Sequence, residues 1–135
     1  MEVRQVGTLT FQLDFSQPLY EQILEQIRSS LAKGEIGLGE KIPSVREMAH
    51  ALKINPNTVM RAYKELERDG LTEKRRGQGT YITTSEERVK TFRSELVKEY
   101  IDDFLNKVES LGYTWEDIEG YMYEKGTGRK GGDLK

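Results

Sequence analysis

Residues 42–71 read IPSVREMAHALKINPNTVMRAYKELERDGL and contain two short amphipathic helices in close succession. Ser44 followed three positions later by Glu47 has the spacing of a capping box, which predicts a helix start there. Val45, Met48, Ala49 and Leu52 then fall on one face. Pro43 disfavours the α region for Ile42, so the chain enters the helix from an extended connector. Asn55 is a favourable N-cap and Pro56 suits the first position of a second helix, where its missing N–H costs nothing. Val59, Ala62, Tyr63 and Leu66 form the buried stripe of that helix, and Gly70 is its expected stop. Only Lys53 to Asn55 separate the two helices, and so short a link predicts a helix-turn-helix.

Downstream, residues 71–75 and 80–83 read as two strands around Arg76-Gly77-Gln78-Gly79, a hairpin tip whose glycines supply positive φ. Upstream, residues 16–34 predict a helix beginning at Ser16 or Gln17, with Pro18 in its first turn, a stripe of Leu19, Ile23, Ile27 and Leu31, and Gly34 as its stop. Before it, TLTFQLDF alternates, with Leu9, Phe11, Leu13 and Phe15 on one face of a strand whose partner is not readable.

A long helix follows from Thr84, where Glu87 completes a second capping box. It carries Val89, Phe92, Leu96, Tyr100, Ile101, Phe104, Val108 and Leu111 at steps of three and four, over about seven turns. Gly112 ends it. A further helix capped by Thr114 presents Trp115, Ile118, Tyr121 and Met122. The last stretch, GTGRKGGDLK, is glycine-rich and basic and is expected to be mobile.

The expected architecture is mainly α with a small β wing, a winged helix-turn-helix domain followed by a two-helix dimerisation appendage. Its parts are an N-terminal strand or arm (1–17), the DNA-binding domain (18–83), the helical extension (84–125) and a flexible tail (126–135).

Composition narrows the function. The chain has 135 residues, 36% hydrophobic and 33% charged, with no cysteine, so disulfides and thiolate metal sites are excluded. No apolar run approaches the ~20 residues of a membrane span, and MEVRQVGTLTFQ lacks the apolar core of a signal peptide. A cytoplasmic location without membrane partners is expected. The net charge of −2 hides an asymmetry: residues 18–83 hold 11 Lys+Arg against 9 Asp+Glu, whereas residues 84–135 hold 9 against 12.

No catalytic constellation appears. His50 is the single histidine, placed opposite the apolar face of its helix, and Asp102 and Asp103 are helix neighbours that cannot face each other as a pair. Neither metal nor cofactor is expected. The Gly-Gln-Gly segment has neither the spacing of a nucleotide-binding P-loop nor the third glycine and following helix of a dinucleotide fingerprint. Next to a helix-turn-helix, arginines at a glycine-bent tip suit a nucleic-acid backbone instead.

On the exposed face of the second helix-turn-helix helix, Asn55, Asn57, Thr58, Arg61 and Lys64 are candidate contacts to bases or phosphates. Asn55 is also explained as a cap, and Arg61 and Lys64 as solvated charges. Arg46, in the first turn of the preceding helix, lies where a cation is not locally favoured and an external anion would account for it. At the wing the candidates are Arg75, Arg76, Gly77, Gln78 and Gly79.

The run IPSVRE…NTVMRAYKELERDGL…RRGQGTYI, within residues 18–83, resembles the winged-helix domain of the GntR family of bacterial transcription regulators. The resemblance covers about half of the chain. It implies a short strand near Lys41 and Ile42 ahead of the helix-turn-helix, and contacts to phosphates and bases from Ser44, Arg46, Asn57, Thr58, Arg61 and the wing tip Arg76-Gly77. The family's usual Leu-Pro-Ser is Ile-Pro-Ser here, and Pro56 occupies a position that is often polar. The short segment after the wing resembles the YtrA-like subfamily, whose small helical extension serves dimerisation and whose members often regulate transporter genes.

The implied protein is a repressor that binds an inverted-repeat operator in double-stranded DNA as a homodimer. Phe92, Leu96, Tyr100, Phe104, Val108 and Trp115 are its candidate dimer residues, and the same aromatics offer a place for a small-molecule effector. The rival reading is a winged helix that binds a protein and no specific DNA; it does not require Arg46, Arg61, Arg75 and Arg76 together.

Overall fold

A computed structural model describes residues 1–129. Its elements are β1 (Glu2–Val6), β2 (Leu9–Leu13), α1 (Leu19–Ala32), β3 (Lys41–Ile42), α2 (Val45–Leu52), α3 (Pro56–Arg68), β4 (Thr72–Arg75), β5 (Gly79–Ile82), α4 (Glu86–Glu109) and α5 (Trp115–Arg129). They divide into two compact units, Met1–Ser94 and a second that begins at Glu95. The chain is mainly α with a small antiparallel wing.

In the first unit, α1, α2 and α3 pack with the three-stranded sheet β3-β5-β4. The sequence-predicted caps form. Ser44 Oγ accepts from the Glu47 N–H while Glu47 Oε1 accepts from the Ser44 N–H, and Asn55 Oδ1 accepts from the Asn57 N–H. Lys53, at φ +57°, turns the chain between α2 and α3. Met48, Leu52, Val59, Ala62 and Leu66 are fully buried, as the periodicity requires.

The alternating N-terminal strand is β2, and its partner is β1, antiparallel in a register that pairs Val6 with Leu9 and Glu2 with Leu13. This hairpin belongs to the core and is not a separate arm over 1–17. Val6, Leu9, Phe11 and Leu13 are buried, and Gln26 of α1 exchanges hydrogen bonds with the Gln12 backbone. Phe15 departs from the expected face because β2 ends at Leu13. Its ring is exposed and lies under the Arg4 guanidinium. At α1, Pro18 stands at the N-cap itself, and neither Ser16 nor Gln17 caps the helix with a side chain.

Two further boundaries move. The Thr84–Glu87 capping box does not form; Ser85 Oγ accepts from the Arg88 N–H, and α4 starts at Glu86. The reason lies in the sheet edge, where the Thr83 N–H donates to Leu71 O and Thr83 O accepts from the Gly39 N–H. With Thr83 held there, Thr84 is spent on the crossing. The first compact unit also extends beyond residue 83 to Ser94, because Val89 is buried in its core and Phe92 packs on it with the Arg28 guanidinium 5.9 Å from its ring centre. Arg28 in turn pairs with Asp69 at the end of α3, 2.6 Å away.

The second unit contains the rest of α4, a turn through Gly112 at φ +87°, and α5. Thr114 caps α5 with Asp117 in a reciprocal box, and the hydrogen bonds from Thr114 hold the Asp117 carboxyl below its usual range. The helix runs through Arg129, so the first residues of the expected tail at 126–135 are helical. Residues 130–135 lie outside the described residues. Among the described residues, no helix is long and apolar enough to cross a membrane.

Candidate nucleic-acid interface

Three elements present the candidate residues: the start of α2, the exposed side of α3, and the wing formed by β4 and β5. Ser44 caps α2, and Arg46 stands exposed in its first turn. The Ser44 backbone N–H, then its hydroxyl, hold the Glu47 carboxyl below its usual range, with a smaller contribution from Lys41.

On α3, Asn57, Arg61 and Lys64 are exposed and Thr58 is half-buried. The Asn55 side-chain oxygen is committed to the cap, and the residue is exposed. The Arg61 guanidinium lies 3.9 Å from the centre of the Tyr20 ring. Tyr20 meets Arg61 as Arg28 meets Asp69, so α1 runs beside α3 in parallel and in step. Tyr20 therefore limits the freedom of Arg61, in a contact of the kind worth about 0.5–1 kcal/mol at exposed sites. The Tyr63 hydroxyl donates to Pro43 O at 2.6 Å and ties α3 to the approach to α2; burial raises its pKa above the ordinary range.

The wing turn closes with the Gln78 N–H donating to Arg75 O at 2.8 Å. Gly77 takes φ +74° at the third position of that turn, a conformation that favours glycine. Arg76, Gly77 and Gln78 are exposed at the tip. Arg75 differs from them. It pairs with Glu73 at 3.2 Å and stacks over Tyr81 at 4.0 Å, which draws it across the sheet. Gly79 takes φ +121° and has the Lys41 stem over it; a Cβ there would lie 2.9 Å from Lys41 Cε.

Sequence reasoning missed Tyr20 and Lys41. Tyr20 sits beside the apolar stripe of its helix, and Lys41 pairs with Tyr81 across β3 and β5, a pairing that local sequence does not encode. Among the described residues, Arg46, Lys64, Arg76 and Lys41 have no ion pair. Cations gathered on a helix-turn-helix and its wing suit the charge of a nucleic-acid backbone. No group of three or more His, Asp or Glu side chains among the described residues could hold a metal ion.

A helix-turn-helix followed by a hairpin with these exposed cations defines a winged-helix DNA-binding protein. The chain belongs to the bacterial regulatory proteins of the gntR family, whose family model matches residues 19–82. It is 44% identical over 107 residues to YhcF of Bacillus subtilis, an uncharacterized HTH-type transcriptional regulator, covering 79% of this chain and 88% of that protein. It is 40% identical over 121 residues to the HTH-type transcriptional repressor YtrA of the same organism, covering 87% and 91%. Among solved structures it is similar to a GntR family transcriptional regulator from Listeria monocytogenes, with a TM-score of 0.71 and 33% identity over 83% of this chain and 98% of that one. The protein is thus a transcription regulator and not an enzyme.

Proposed function

We propose that the protein is a homodimeric repressor of an inverted-repeat operator. The observation that carries this is the contrast between its two units. The first buries twenty apolar residues in one cluster. The second, among its described residues, buries Leu96 and Ile118 but leaves Val97, Tyr100, Ile101, Phe104, Leu111, Trp115, Tyr121 and Met122 exposed. Val97, Tyr100, Ile101 and Phe104 stand at i, i+3, i+4 and i+7 on one face of α4; such an apolar stripe is the mark of an interaction face, and a second copy offers the same stripe to cover it. Of the candidate dimer residues, Tyr100, Phe104 and Trp115 are exposed, Phe92 and Val108 are half-buried, and Leu96 is buried within the chain.

Two-fold symmetry would set two α3 helices about 34–36 Å apart, on successive major grooves of one DNA face. In this reading Ser44, Arg46, Arg76 and Gly77 meet phosphates, and Asn57, Thr58, Arg61 and Lys64 approach bases. Asn55 and Arg75 have smaller parts, since the first caps α3 and the second is paired. Repression is supported by the similarity to YtrA, and transporter genes as targets by the family resemblance alone. A binding site for a small-molecule effector is assigned to the open cleft lined by Leu111, Tyr113, Tyr121 and Glu124; a ligand there would change the aromatic fluorescence, and Tyr121→Ala should abolish that response.

Sedimentation and DNA titration of the full chain and of a fragment of residues 1–94 test the reading. The full chain should be a dimer that shifts a palindromic fragment, and the shorter one a folded monomer that binds a half-site weakly, having lost the effective concentration that linkage supplies. A fragment that still sediments as a dimer would place the interface in the first unit.

A further inference from the structure

Asn57, Met60, Arg61 and Lys64 stand at i, i+3, i+4 and i+7 along α3, and all four are exposed. Three are polar. Met60 is not, yet 40% of its surface is open and it takes no part in the core cluster. A single exposed apolar side chain ordinarily needs no explanation; what sets this one apart is where it stands. At about 100° per residue, Asn57 and Lys64 lie opposite the buried stripe of Val59, Ala62, Tyr63 and Leu66, and Met60 and Arg61 splay to either side of them. Two contacts orient the helix. Arg61 leans towards α1, where it meets Tyr20. Tyr63, on the Met60 side, reaches Pro43 at the approach to α2. Met60 therefore occupies the flank of α3 that faces α2, with Pro56 exposed one turn before it on the same side.

We infer that Met60 is a specificity residue that packs on the C5-methyl group of a thymine in the major groove. This rests on the assignment of the exposed side of α3 to DNA. The major-groove edge of each base pair carries hydrogen-bonding groups, and the thymine methyl is the one apolar feature there. Pro56 and Met60 provide an apolar strip beside Asn57 and Lys64, which provide hydrogen bonds and charge. An unbranched, polarizable thioether can adjust to a methyl group without fixed geometry. Neither the stripe of core residues nor the wing needs Met60, so its loss should leave the fold intact.

The test is a thermodynamic cycle between one side chain and one methyl group. Sites are first selected from random duplex DNA with the full-length protein. Each thymine of the selected site is then replaced by uracil, which removes the methyl and keeps every hydrogen-bonding group. One such replacement, or a symmetric pair, should weaken the wild-type protein by about fourfold per methyl, equivalent to ~0.8 kcal/mol. Met60→Ala should bind the thymine and uracil forms of that position equally, with an unchanged helical circular-dichroism signal. Met60→Gln, with an amide in place of the thioether, should lose the thymine preference as well. Uracil effects identical in wild type and Met60→Ala, or a selected site without thymine, would overturn the assignment of Met60 and leave the DNA-binding surface standing. Failure of the wild-type protein to enrich any sequence would overturn both.

Discussion

Gly77 and Gly79 lie two residues apart in the wing, and alanine at each should behave differently. Gly77 has φ +74° with nothing within 4 Å of where a Cβ would stand. An L-residue held in the left-handed region costs about 1–2 kcal/mol, offset by the ~0.4–1 kcal/mol gained when the unfolded chain loses freedom. Gly77→Ala should therefore cost about 0.8 kcal/mol. Gly79 is at φ +121°, well outside the left-handed helical well near +57°. Residues forced into sparsely populated backbone regions cost of order 1–3 kcal/mol. The new methyl would also stand 2.9 Å from Lys41 Cε, a contact the flexible lysine stem can relieve. After the same unfolded-chain offset, Gly79→Ala should lose about 1.3 kcal/mol, nearly all of it from the backbone. For a cooperative unit of this size each kcal/mol lowers the melting temperature by roughly 4–8 °C, so a fall of about 8 °C is expected by calorimetry, against a few degrees for Gly77→Ala. Adding Lys41→Ala to Gly79→Ala should recover little. Equal melting of the two glycine variants, or full rescue by Lys41→Ala, would refute the assignment of the cost to φ.

Arg46→Ala should lower DNA affinity and reduce the magnitude of the salt slope by about 0.9, the signature of one lost phosphate contact; an unchanged slope would assign Arg46 no phosphate. Arg61→Ala should cost about 1–3 kcal/mol on the specific site and little on scrambled DNA, and equal losses on both would demote it to a backbone contact. Tyr20→Leu should lose part of the same discrimination while Tyr20→Phe, which keeps the ring, should not; a matching loss in Tyr20→Phe would point to the hydroxyl. The Glu47 carboxyl is held below its ordinary value by Ser44, so its contribution to stability is present above the unfolded pKa and is lost as pH falls through the folded one. The difference in melting between wild type and Glu47→Gln, a substitution that keeps the cap and removes the charge, should be largest at neutral pH and vanish in acid; a constant difference down to the lowest pH would exclude the linkage.

The helix-turn-helix, the wing and the α5 cap were legible in the sequence because their determinants are close in the chain. Ser44 with Glu47, Asn55 with Pro56, and Gly77 in a four-residue turn act within one turn of backbone, and helical periodicity marks the buried faces independently of the partner. Asp117 in the Thr114 box belongs to the same class, at the same spacing. What the tertiary structure alone decided involves partners far apart along the chain. The segment EVRQV shows no clear alternation, and only its register against β2 makes it a strand. The start of α4 moved to Glu86 because Thr83 was already bonded to Leu71 and Gly39, and the domain boundary moved to Ser94 because Val89 is buried in the core and Phe92 packs against it. The geometry of the candidate interface has the same origin: Tyr20 beneath Arg61, Lys41 over Gly79, and α3 fixed against the approach to α2 by the tie between Tyr63 and Pro43. Periodicity specifies which face of an element is apolar, whereas the neighbour that covers the face is selected by packing the whole chain at once.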